Sequence, residues 1–76
     1  MRVRVYLRQA LFTFPGDAAH VPAHAAVVEG ASSDATPAGV RVLVETYYDE
    51  KGRTLEGLPC EILIPAAKID HVLFLS

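Results

Sequence analysis

Cysteine occurs once, no long apolar run is present, and positive charge is not in excess. A lone Cys60 excludes an intrachain disulfide, and its place between Pro59 and Glu61 beside an apolar run reads as a small buried hydrophobe rather than a reactive thiol. Met1-Arg2-Val3-Arg4-Val5 carries positive charge, but no uninterrupted apolar segment follows that could act as a secretory h-region or a membrane span. A cytoplasmic protein without membrane contact is therefore expected. Seven Lys and Arg stand against nine Asp and Glu, for a net charge of -2. Sequence-independent nucleic-acid binding needs clustered cations that displace counterions, so nucleic acid is an unfavoured partner for the chain as a whole.

Signatures of catalysis and cofactor binding are lacking as well. The glycines at 16, 30, 39, 52 and 57 are too dispersed to cradle a phosphate, and each reads as turn punctuation. Ser32, Ser33 and Asp34 have no strained G-x-S-x-G setting to expose a nucleophile. His20 and His24 have the H-x-x-x-H spacing that puts two imidazoles on one helix face, but Pro22 sits between them and no third ligand follows. Asp70 and His71 are neighbours in a predicted strand, where alternation would send them to opposite faces. No pair of carboxylates stands out as an acid-base couple. The expectation is no catalytic residue, no metal, no cofactor and no enzyme.

What is present is strand. The 76 residues suffice for one domain, 1–76, and 51% of them are hydrophobic, which separates the chain from disordered polymers. Arg2 to Arg8 alternates, with Val3, Val5 and Leu7 on one side and Arg2, Arg4, Tyr6 and Arg8 on the other, a period-two pattern that could continue to Phe14. Pro15-Gly16-Asp17 supplies a turn. Over residues 18–30 two readings compete: Pro22 and Gly30 could bracket a short helix, whereas Ala26-Val27-Val28-Glu29 favours a strand around His24 to Glu29. Gly30 to Gly39 is small, polar and proline-containing, and is read as a mobile connection outside the core.

Val40 to Tyr48 is the clearest strand, with Val40, Val42, Val44, Thr46 and Tyr48 on one face and Arg41, Leu43, Glu45 and Tyr47 on the other. Asp49-Glu50-Lys51-Gly52 forms a hairpin tip with Gly52 in the left-handed position. Leu58 to Ile64 returns as a strand, stops at Pro65, and the chain resumes from Lys68 to Leu75 with apolar residues on both faces. The fold class is thus all-β: a small five-stranded, strongly curved antiparallel sheet or partly open barrel.

The stretch Ile62-Leu63-Ile64-Pro65-Ala66-Ala67-Lys68-Ile69-Asp70-His71-Val72-Leu73 resembles the last two strands of Sm-like and SH3-like small barrels, joined by a very short turn. It covers about a sixth of the chain. The resemblance implies a fold and a ring-like or dimeric habit. It does not carry the RNA pocket of Sm-like proteins, which draws on an Asp and an Asn in one motif and an Arg-Gly pair in another. This chain has no Asn, and Pro65-Ala66 stands in the Arg-Gly place.

A chain this small buries only about 60% of its surface, and apolar burial then barely offsets the entropy of ordering. Without disulfide or metal, association is the remedy, so a homo-oligomer is expected. Its candidate interface residues are Tyr47, Tyr48, Val72 and Phe74, one of the two tyrosines serving as an anchor. The Arg2, Arg4, Tyr6, Arg8 face is the candidate interaction face. Its cations interleave with an aromatic as in a single-stranded RNA platform, but charges on an edge strand also discourage aggregation or pair with acids such as Glu45 and Glu50. The leading expectation is a non-enzymatic, self-associating interaction module of unknown process; the alternative is a single-stranded RNA-binding protein.

Overall fold

The computed structural model describes residues 1–9, 21–22 and 24–75. The chain is all-β: β1 Arg2–Leu7, β2 Val27–Thr36, β3 Gly39–Tyr48, β4 Thr54–Leu55, β5 Cys60–Pro65 and β6 Ile69–Phe74. A single 3₁₀ turn, Ala66–Lys68, separates β5 from β6, and no helix among the described residues is long and apolar enough to cross a membrane. All pairings are antiparallel, in the order β4-β3-β2-β1-β6, with β5 also on β3. The long β3 therefore holds β2 along one side, and on the other side β5 at Gly39 to Val44 and β4 at Tyr47 and Tyr48.

Topology forces the curl. β5 and β6 lie at opposite ends of the sheet, yet three residues join them. The sheet must roll until its two ends nearly meet at Ala66–Lys68, which yields a half-barrel about 26 × 24 × 20 Å. No pairing joins β5 to β6 among the described residues, so a seam stays open between them.

Three register shifts supply local twist and redirect side chains. In β3, Glu29 pairs with Thr46 but Gly30 pairs with Val44, so Glu45 is an extra residue. The alternation changes phase there. Val42 and Val44 are buried, as their predicted face requires, but beyond the bulge the buried residue is Tyr47, opposite Val28. The uninterrupted face ending in Thr46 and Tyr48 is thus corrected.

The core consists of Val3, Val5, Ala25, Val28, Val42, Val44, Tyr47 and Ile64. It follows from alternation along β1, whose Val3 and Val5 face inward while Arg2, Arg4 and Tyr6 face out. Ala25 lies ahead of β2, and His24 stands in a turn rather than in the strand expected from that position. The small, polar stretch after Gly30 is not a loop. It extends β2 to Thr36 and returns through a tight turn at Pro37 and Ala38 into β3. At the start of this stretch Gly30 lets the backbones approach closely, since a Cβ there would run into the Leu43 carbonyl oxygen.

At the β3–β4 connection Gly52 takes φ +83°, the left-handed conformation expected of it. The Asp49 carboxylate accepts from the Lys51 N–H (2.9 Å), the Arg53 N–H (2.8 Å) and Arg53 Nε (3.0 Å). These bonds, the Arg53 amide first, hold its pKa below the ordinary carboxylate value. β1 ends at Leu7, and the predicted continuation to Phe14, the Pro15-Gly16-Asp17 turn and His20 lie outside the described residues.

Candidate interaction surfaces

The outer face of β1 brings together three of its four expected residues, Arg2, Arg4 and Tyr6. Arg8 stands beyond the strand end. Its backbone N–H donates to the Lys68 carbonyl (2.9 Å) and its Nε to the Ile69 carbonyl (3.0 Å), tying the end of β1 to the 3₁₀ turn.

The charges on this face are answered locally. Arg4 donates from Nε to Glu29 Oε1 (2.8 Å), and its Nη2 lies 2.8 Å from the same oxygen. Arg2 donates to Glu45 Oε1 at 2.5 Å and lies 3.7 Å from Glu29. The bulge presents Glu45, and Glu29 faces Arg4 directly across β1 and β2. Both guanidinium pKa values are raised: that of Arg2 by Glu45 foremost, that of Arg4 by the Tyr6 hydroxyl and then Glu29. Of the acids expected to meet these arginines, Glu45 does so. Glu50 instead lines a polar cleft with His24, Asp49, Lys51 and Arg53. Sequence reasoning missed Glu29, which lies 25 residues from Arg4.

Register aligns a row of outward residues across five strands: His71, Tyr6, Val27, Tyr48 and Thr54. The Tyr6 and His71 rings stack, with centroids 4.2 Å apart and planes 11° off parallel. At the other end of the row the Arg4 guanidinium lies 5.7 Å from the Tyr48 centroid. Between them Arg4, Tyr6, Val27, Tyr48 and Gly52 line a cleft of about 170 Å³.

Asp70 and His71 do make the contact that simple alternation forbids. Tyr6 pairs with His71 but Leu7 pairs with Ile69, so Asp70 is an extra residue and its Oδ2 lies 2.7 Å from His71 Nδ1. Both side chains are more than half exposed, and no nucleophile adjoins the pair among the described contacts. Among the described residues no group of three or more His, Cys, Asp or Glu is placed to hold a metal ion.

The four candidate interface residues separate into three environments. Tyr47 belongs to the core, with its hydroxyl donating to the Leu58 carbonyl (3.0 Å) and lying 3.2 Å from Cys60 Sγ. Tyr48 lies half-buried on the outer row. Val72 and Phe74 face the same side as the core residues Val5 and Val3, which they oppose, but on β6, which among the described residues pairs with β1 alone. Val72 is half-buried and Phe74 is 68% exposed. Leu73, Leu75 and, on β5, Leu63 add further exposed apolar surface at the two ends of the sheet. Cys60 is half-buried rather than fully enclosed. No protein-family model, curated protein or solved structure matches this chain.

Proposed function

We propose that the chain is a non-enzymatic, self-associating module of the SH3/Sm-like small-barrel kind that acts in the cytoplasm through protein contacts. The observation that supports this most is Phe74: an inward-facing aromatic, 68% exposed, on a strand that among the described residues is paired along one side only. An unpaired strand offers a row of N–H and C=O groups to another chain, and apolar side chains beside it reward that pairing. At the opposite end of the sheet, β5 presents an exposed Leu63 on its outer face. A second copy would satisfy both ends, consistent with the thin core expected of a chain this short.

Light scattering at micromolar concentration tests this. The expected mass is at least twice the 8.2 kDa of one chain, and Phe74→Ser is expected to lower it while preserving the far-UV spectrum. A wild-type mass of one chain at every concentration, with a melt unaffected by dilution, would refute self-association. Single-stranded RNA binding on the β1 face is the weaker reading, because Glu29 and Glu45 already neutralise Arg4 and Arg2.

A further inference from the structure

The direction in which backbone groups point separates β5 from β6. Along a strand, successive residues turn their N–H and C=O alternately to one neighbour and to the other. Just past β6 the Leu75 N–H donates to the Arg2 carbonyl (2.8 Å), so in this register Leu75, Leu73 and His71 turn their backbone groups to β1. Val72 and Phe74 therefore aim theirs away from β1, at an edge that pairs with nothing among the described residues. Just past β5 the Ala66 N–H donates to the Ala38 carbonyl (2.9 Å), so Ile64, Ile62 and Cys60 turn to β3, and Glu61, Leu63 and Pro65 aim away from it.

The β6 edge is thus carried by inward-facing residues and the β5 edge by outward-facing ones. Antiparallel partners that exchange hydrogen bonds hold their side chains on the same face. Without a further bulge, antiparallel pairing of β5 with β6, within one chain or between two copies, would run the inner face of one sheet into the outer face of the other. The β5 edge also resists a new strand, because Pro65 has no N–H and Glu61 is charged. The β6 edge matches itself: two copies of it, antiparallel, join inner face to inner face.

We propose that a second copy of this chain adds antiparallel to β6 about a two-fold axis at Leu73, an inference that rests on the self-association reading and narrows it from two ends of the sheet to one. In that register Val72 exchanges backbone bonds with the partner's Phe74, and Phe74 with the partner's Val72. The ring of Phe74, 68% exposed in one chain, gains an apolar neighbour on the inner face, while Leu73 lies opposite the partner's Leu73 on the outer face. From Val72 to Phe74 every cross-strand contact is apolar. An axis at Val72 would instead set Phe74 against the partner's Asp70, and an axis at Phe74 would carry most of β6, which ends there, past the end of its partner strand. A strip of roughly five residues, about 17 Å, covers well under the roughly 800 Å² per partner of a standard interface, so the dimer is reversible rather than permanent.

Disulfide trapping in the full chain tests the register. In a Cys60→Ser background, Leu73→Cys places two thiols in a non-hydrogen-bonded cross-strand pair with Cα atoms about 4.5 Å apart, within disulfide reach. With oxidised glutathione and micromolar protein, the covalent dimer should form at least about tenfold faster than in Leu63→Cys, because paired strands raise the effective thiol concentration far above that in solution. Random collision would give the opposite order, since Leu63 is 60% exposed and Leu73 41%. A mixture of isotope-labelled and unlabelled wild type supplies a second reading free of substitutions, with intermolecular NOEs expected from the Val72 methyl groups to the Phe74 ring. The β6 pairing is overturned, and self-association kept, if light scattering shows the wild type to associate while Leu73→Cys cross-links no faster than Leu63→Cys or these NOEs are absent. A wild-type mass of one chain at every concentration overturns both.

Discussion

β3 and β6 are both rich in apolar residues, and they meet opposite fates. β3 is paired on both sides and places Val42, Val44 and Tyr47 in the core. Among the described residues β6 is paired on one side and leaves the inward-facing Phe74 68% exposed, whereas its outward-facing Leu73, at 41%, matches the outward-facing Leu43 of β3 at 44%. Hydrophobicity commits a strand to a sheet, whereas the face a side chain takes and the strand's rank in the order together decide whether it is covered. That rank arises from pairings between distant segments, such as β1 with β6, and cannot be read from either strand alone.

The sharpest way to break the contrast is to damage the paired side. Ile64 on β5 is fully buried against β3, so Ile64→Ala should cost about 2–5 kcal/mol in denaturant unfolding. A chain of this length has only about 4–11 kcal/mol in total, so the variant should be near the edge of folding. Leu63, its exposed neighbour, should tolerate the same change within about 0.5 kcal/mol when monomers are compared. Equal costs at the two positions would mean that the outer side of β5 is covered in solution.

Which features were legible in the sequence follows from the range of the interactions behind them. The buried side of β1, the Gly52 turn and the break at Pro65 depend on neighbouring residues and were readable. The bulges at Glu45 and Asp70 were not, because an extra residue is defined only against its partner strand. Each reversed a local inference: one moved Tyr47 into the core, the other joined Asp70 to His71. Residues 31–36 were misread for a related reason. Small polar side chains look like loop when burial is the only criterion, but here β3 holds the segment by backbone pairing. On the candidate face, Arg2, Arg4 and Tyr6 were legible as a set, but their neutralisation by Glu29 required the β1–β2 register.

Tyr47 and Tyr48 make the comparison within a single dipeptide. Tyr47→Phe removes the bond to the Leu58 carbonyl and should cost about 0.5–1.5 kcal/mol, whereas Tyr48→Phe should be nearly neutral. Burial, and then the Cys60 thiol, raises the Tyr47 phenol pKa above its ordinary value. A phenol whose folded-state pKa is raised contributes stability that is complete below the unfolded value, near pH 10, and declines as pH rises from there towards the folded value. Unfolding measured across that range should show the decline in wild type and a shallower one in Tyr47→Phe. An unchanged slope would remove Tyr47 as its source.

The smallest effect on the fold belongs to the arginines, and it separates the two outer-face readings. Replacing Arg2, Arg4 and Arg8 together by Ser breaks the pairs with Glu45 and Glu29 and the bond from Arg8 to the Ile69 carbonyl. Exposed ion pairs contribute little and are screened by salt, so the sheet should persist, with a slight loss of stability that shrinks as ionic strength rises. The same variant probes RNA. A face working as an RNA platform would bind single-stranded RNA with an affinity that falls steeply with salt and is lost in the triple variant. Because Glu29 and Glu45 stand among the arginines, the wild type should show no such affinity near physiological ionic strength. Micromolar, salt-dependent binding of hexauridylate abolished by the triple replacement would mean that RNA phosphates displace those carboxylates. The outer face of β1, rather than the open strands β5 and β6, would then be the principal working surface.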